Sequence, residues 1–437
     1  MTIRTRGGFA VAWMGIASLC ACASQQPMKA VGHQPFKTPT TWMMYQGSGA
    51  NNAVFPGTLS TTWTFKTGGR VNGGLAVVGD TIFVDSFSKK LFALDVVTGR
   101  LRWKASLPNI VMSTPIVADG LVIVGTGTSA VLPSTLQSQT PMWGRTMGDE
   151  VVAFDERTGR TVWRFHTVGE DMPTPALVGN TLVFGNGDRH AYGIDVKTGK
   201  RIWSIPIPGI TSMSGTSSQG TTAFITVSGA ASPKYVHPSH LLAVDARDGH
   251  VLWMAPYGNS DSSAAMESGI IAAEGSVDTP YGAGHFVGSM GENDVEAYSA
   301  ASGRMLWRWV SRPGYYTNFE SNERAIASMV SGGILYQAVP TANEMIAFRL
   351  KDGKILWRFR TAGTVKMSPV LTRNGILIFG DTEGILYAVN ARTGLLNNLA
   401  ITKRPYSVSP PVIVGDTLII AHDDEVEAMP LENLVIP

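Results

Sequence analysis

The chain has 437 residues, of which 44% are hydrophobic and only 16% charged, with 48 Gly and 24 Pro and a formal net charge of +2. This composition suits many short strands joined by tight turns better than helices or disorder. A balance so near neutrality, with no run of five Lys or Arg, does not suggest a nucleic-acid partner, and none is expected.

In chain order, the first feature is an export signal. Arg4 and Arg6 precede an apolar stretch, GGFAVAWMGIASL, too short to span a bilayer but suited to a signal-peptide core. It ends in Leu19-Cys20-Ala21-Cys22, which resembles the lipobox of bacterial lipoproteins. Small Ala21 before Cys22, against bulky Leu19 before Cys20, selects Cys22 for lipidation. The plainer alternative is an ordinary cleaved signal with two incidental cysteines. Residue 23 is Ala, which resembles the outer-membrane sorting state. The expected organisation is a signal peptide over 1–21, a lipidated N-terminus and tether over 22–41, and one domain over 42–437. No cysteine follows Cys22, which removes disulfides and thiolate metal sites from that domain.

The domain is a repeat. Segments such as LAVVGDTIFVDS, TPIVADGLVIVGT and TPALVGNTLVFGN read as inner hairpins. Third strands follow, LFALDVVTG and VVAFDERTG among them, each ending at a Gly-containing turn, and a Trp stands on the next, outer strand. The turn-to-Trp spacing places Trp103, Trp163, Trp203, Trp253, Trp307 and Trp357 at one step of the repeat; after Thr393-Gly394, Asn398 takes the place of Trp. Units of about 40 residues with four strands are the signature of propeller blades. The last hairpin, ending in VEAMP, lacks an outer strand, and LSTTWTFK, with Trp63, supplies it from the N-terminus. The expected fold is all-β: an eight-bladed β-propeller of four-stranded antiparallel blades, closed by the N-terminal strand.

These repeats, with the opening stretch Trp42-Met43-Met44-Tyr45-Gln46-Gly47, resemble the pyrroloquinoline-quinone-like repeat propellers over residues 42 to 430. That family includes quinoprotein alcohol dehydrogenases, tetrathionate hydrolases and the BamB-type lipoproteins of outer-membrane protein assembly. The fold is therefore more specific than the function.

Long insertions are read at 126–148, 228–239, 255–277 and 310–325, all in the connections of one face. Long loops on a rigid scaffold are where binding and catalysis reside. Trp143 and Arg145 on the first insertion and Tyr315 and Tyr316 on the last are the expected protein contacts. Glu320, Asn322, Glu323 and Arg324 could rim the channel and hold Ca²⁺ with the quinone, or form a solvated, locally paired rim. Asp188-Arg189-His190 is a compact acid, cation and titratable base; its alternative is a structural loop edge. His237 and His240 are too few for a metal, and no metal site is assigned.

A quinone dehydrogenase of the alcohol-oxidising type would, by the resemblance, need an adjacent Cys pair that this sequence lacks. A hydrolase would need a carboxyl of raised pKa on the insertion face, with Asp261, Asp278 and Glu323 as candidates. The leading expectation is a lipid-anchored, periplasm-facing protein scaffold at the outer membrane, with the assembly machinery among its partners. A quinoprotein oxidoreductase with pyrroloquinoline quinone and Ca²⁺, and a hydrolase, are the alternatives.

Overall fold

The computed structural model describes residues 52–435 apart from 54–58, 112, 128–148, 170, 172, 212–214, 228–230, 233–234, 237–238, 258–262, 277–289, 292, 313, 316–327, 403 and 407–408. Among the described residues eight blade sheets follow one another along the chain, with two further two-stranded pairs. Seven are four-stranded, at residues 76–106, 116–166, 176–206, 217–256, 265–310, 329–360 and 370–401. The eighth combines the hairpins of residues 412–430 with the N-terminal strand Trp63–Lys66, which pairs antiparallel with residues 425–428. The ring therefore closes as the repeat requires. Beyond that, Asn52–Ala53 pairs parallel with Ile413–Val414 and makes the eighth blade five-stranded.

The repeated Trp makes the seam between blades. In the first blade the pairing skips Arg102, so that Trp103 lies opposite Ala93, and the same shift recurs in each of the next six blades. Such a bulge raises the local twist and re-aims the side chain. Each indole then reaches the next blade: Trp63 Nε1 donates to the Val96 carbonyl at 3.0 Å, Trp203 to Ala246 at 2.8 Å and Trp357 to Ala391 at 2.8 Å. The ring face lies against the glycine of that blade's turn. A Cβ on Gly249 would stand 2.7 Å from Trp203 Cε3, and Gly249 has φ of 77°. Glycine is required there twice, for the backbone conformation and for the close approach.

Asn398 has a structural reason. It lies opposite Ala388, where the other blades carry Trp, but the eighth blade ends its third strand at Pro430 without a Gly turn for an indole to cover. Instead the chain turns through Leu431–Asn433, and Leu434 is fully buried in one cluster with Ala388, Tyr406 and Ile413. A C-terminal leucine fills the seam that tryptophan fills elsewhere.

Backbone bonds define the two faces. Val96 N donates to Asp80 O and Val196 N to Asn180 O, joining inner-hairpin turns to third-strand turns on one side. On the other side, Thr167 N donates to Asp149 O and Thr361 N to Asn343 O, joining the blade-to-blade connections to the remaining turns. The expected insertion over 255–277 needs correction. The hairpin strands Ala265–Glu267 and Ile270–Ser276 fall inside that range, so it is not one long loop. The additional chain follows that hairpin, because AAMESGIIAAEGS is a strand pair written in small residues without a marked apolar run. The short strands Met290–Gly291 and Gly314–Tyr315 pair with each other and tie the two connections of the fifth blade together.

Candidate functional site

At the inner end of the second strands, on the irregular face, the repeat favours small residues. The step that pairing makes equivalent holds Gly125, Gly185 and Gly380 in three blades, Ala338 and Ala421 in two more, and the buried Thr226 and Glu274 in the fourth and fifth. The first blade places Asp85 there. Its carboxyl is fully buried, and neither oxygen has a hydrogen-bond partner among the described residues. Burial alone pushes it well above the ordinary aspartate value, since a charge without donors is poorly solvated there. A Cβ on Gly73 would stand 2.6 Å from Asp85 Oδ1 and 2.4 Å from the Ser113 carbonyl oxygen. Glycine therefore opens the space that the acid occupies, and what surrounds it includes a further acceptor. The neighbouring Asn72 has a buried Oδ1 without a partner as well.

A second buried acid behaves differently. Asp171 accepts bonds from the Thr167 hydroxyl and from Asn186 Nδ2, the latter at 2.6 Å. Burial, with added repulsion from Asp149 and Asp188, still pushes its pKa well up. It ties one connection to one turn, whereas Asp85 ties nothing.

Of the residues singled out in sequence, Asp188, Arg189 and His190 are brought together in one tight turn. Asp188 accepts the Tyr192 hydroxyl at 2.6 Å and the His190 backbone N–H at 3.0 Å, while Arg189 has φ of 67°. His190 Nδ1 stands 3.5 Å from Asp188 Oδ1. These bonds are those of a turn capped by its own side chain. Tyr315 lies in the short strand opposite Met290. Cys22, Trp143, Arg145, Asp261, Asp278, Tyr316, Glu320, Asn322, Glu323 and Arg324 lie outside the described residues.

Among the described residues no three His, Cys, Asp or Glu side chains could share a metal ion. Asp294 and Glu296, close together on one strand, are paired with Arg308 at 2.5 Å and 3.0 Å. These residues do not supply the free oxygen set that Ca²⁺ with a quinone demands.

Comparison with known proteins agrees with the ring. The family profile described as outer membrane protein assembly factor BamB matches residues 52–229, 145–287 and 291–422. The chain belongs to the BamB family of propellers. Within curated relatives, this BamB-family chain is 26% identical over 381 residues to a tetrathionate hydrolase of Acidithiobacillus ferrooxidans, covering 83% of this chain and 73% of that one. It is 25% identical over 372 residues to BamB of Bordetella pertussis, covering 82% and 84%. The solved BamB of Moraxella catarrhalis has the same fold, with a TM-score of 0.59 at 15% identity, over 85% of this chain and 99% of that one.

Proposed function

We propose that this chain is a cell-envelope hydrolase of the tetrathionate hydrolase kind, working on its irregular face with Asp85 as the proton-carrying residue. The observation that carries the reading is the Asp85 carboxyl: fully buried, without a partner among the described residues, and pushed toward its neutral form. A structural acid is normally answered by donors, as Asp171 is. An acid kept neutral can give its proton to a leaving group while water adds to the other side of the breaking bond. The proton that water releases then restores Asp85. The likeness to tetrathionate hydrolase over most of both chains supports the substrate class.

The test is loss of tetrathionate from solution. Wild-type protein should consume it and Asp85→Asn should not, with the rate falling as pH rises and Asp85 ionises. No turnover by the wild type overturns the reading, and an Asp85→Asn protein at full rate removes Asp85 from it.

A second reading, a protein scaffold in outer-membrane assembly, is favoured by a different observation. The outer strand Leu396–Ile401 carries no charged side chain, and it exposes Leu396, Leu399 and Ile401 beside exposed Leu395. An open, uncharged, apolar edge suits strand addition by a partner. On this reading Trp143, Arg145, Tyr315 and Tyr316 supply the contacts of the irregular face, and lipid at Cys22 holds the protein to the outer membrane. Leu399→Lys with Ile401→Lys should then release assembly proteins that co-purify with the wild type, and Cys22→Ser should abolish labelling by radioactive palmitate.

A further inference from the structure

One carboxyl of the irregular face lies at a step that the repeat otherwise fills with uncharged side chains. The first residue of each described connection donates its N–H to the blade just left, Thr167 to Asp149 O and Thr361 to Asn343 O among them. Four residues on, the connections into the first, second, third, fourth, seventh and eighth blades carry Val71, Val111, Asp171, Thr211, Val365 and Tyr406, all of them buried. Of these six, only the third blade's connection puts an acid there.

Asp171 lies between two blades. Its N–H donates to the Thr126 carbonyl of the second blade at 3.1 Å, and a Cβ on Gly125 of that blade would stand 2.0 Å from its carbonyl oxygen. From the third blade Asn186 Nδ2 reaches its Oδ1 at 2.6 Å, and the Thr167 hydroxyl bonds its other oxygen. The seventh blade reverses the arrangement. There the acid is Asp381, at the step of Asn186, and it accepts the N–H groups of Gly363, Glu383 and Ile385 and the Tyr387 hydroxyl, with Val365 on the connection. Backbone donors solvate the acid in the turn, whereas the acid on the connection has one hydroxyl and one amide.

The charges that act on Asp171 have its own sign. Asp149 on the second blade and Asp188 in the turn of the third both repel its ionised form. Each is engaged elsewhere, for Asn109 Nδ2 donates to Asp149 at 2.9 Å and the Tyr192 hydroxyl to Asp188 at 2.6 Å. Glu150, next to Asp149, is paired with Arg164, and His190 Nδ1 stands 3.5 Å from Asp188 Oδ1. Burial, reinforced by the repulsion, holds the Asp171 carboxyl well above the usual aspartate value.

We propose that Asp171 is a proton-operated latch: protonated, it holds the connection into the third blade against the second, and ionised, it weakens that hold. Losing the proton places a third negative charge beside two others, away from water, and the strain is relieved when the bonds of Thr167 and Asp171 to the second blade open. The latch is therefore fully closed below the ordinary aspartate value and loosens as pH rises through the raised one. Such a device ties the shape of this part of the irregular face to the acidity around it. It is independent of the hydrolase reading, which concerns Asp85 on the first blade.

Hydrogen exchange of the full-length protein tests it, read by mass spectrometry from about pH 4 to 8 and corrected for the intrinsic rate at each pH. Protection of the peptide over 167–175 should fall by about tenfold or more as pH rises, the change that one unit of pKa displacement supplies. The peptide over 361–369, with Val365 at the same step, should keep its protection. Asp171→Val and Asp171→Asn should each make the third blade's connection as insensitive to pH as the seventh's. Asp149→Asn, which keeps an oxygen for Asn109 but removes a repelling charge, should make the loss of protection smaller and end it at lower pH.

Constant protection over 167–175 across this range overturns the inference. So does a pH dependence that survives in both Asp171 variants, which would assign it to His190 or another titrating group. Melting temperatures measured alongside show that each variant is folded, and two replacements of Asp171 guard against one that is not.

Discussion

On the face of the tight turns, the aspartates that end the third strands are answered locally and held in their charged form, although burial raises Glu156 beside one of them. The Thr158 hydroxyl bonds Asp155 and draws its pKa down, and the Arg247 guanidinium holds Asp245 down to about 2. Across the ring, burial pushes Asp85 and Asp171 up. One repeat thus produces two electrostatic regimes. The turns of the first face recur with every blade and serve the seams, while the second face leaves the buried Asp85 without a hydrogen-bond partner among the described residues. Sites that cost stability are where function is to be sought.

The contrast can be broken most severely at the seams. Trp203→Ala removes an indole that is 8% exposed, bonded to Ala246 and packed on Gly249. It should cost about 3–5 kcal/mol, whereas Asn398→Ala, at the seam without an indole, should stay within about 0.5 kcal/mol. Urea denaturation measures both, and equal losses would refute the account of the seams. Leu434→Ala should cost about 2–4 kcal/mol, since that side chain fills the remaining seam; a loss no greater than that of Asn398→Ala would show that the C-terminal turn packs nothing of consequence.

A finer break is Gly199→Ala. Its φ of 66° and a Cβ only 2.5 Å from Trp163 Cε3 combine backbone strain with a clash, together worth about 1–3 kcal/mol. Gly179→Ala sharpens this, because its φ of 58° meets open space. It should bear the strain alone and lose less.

The last effect has the opposite sign. Asp85 has a folded pKa well above its usual 3.8, so its contribution to stability is fully present below that value and is lost as pH rises through the folded one. Asp85→Asn, neutral throughout, should therefore melt above wild type at pH 7, and the difference should vanish below about pH 4. Asp155, held down, works the other way, and its contribution is lost as pH falls. A melting difference that does not change between pH 4 and 7 would mean that Asp85 is answered in solution.

The sequence makes the seams legible because Trp and Gly recur at constant spacing, and Trp63 declares itself by being out of turn. Asn398 is visible as an exception, but its cause is Leu434, which lies 36 residues further on. Asp85 is hidden near the end of the strand TIFVDS, where an acid beside a serine reads as a solvent-facing position. Only alignment of the second strands, with Gly or Ala at the same step in five other blades and an acid only in the first and, as Glu274, in the fifth, sets it apart.

What the sequence settles alone is whatever local rules repeat: strand alternation, glycine where φ is positive, and tryptophan at a fixed distance from that glycine. Eight copies of one pattern leave the ring as the arrangement that buries every sheet. The tertiary structure decides which polar side chains lose their water, because burial depends on neighbours brought from distant blades. Asp85 differs from an ordinary surface acid only through that enclosure, which pushes its carboxyl toward the neutral form.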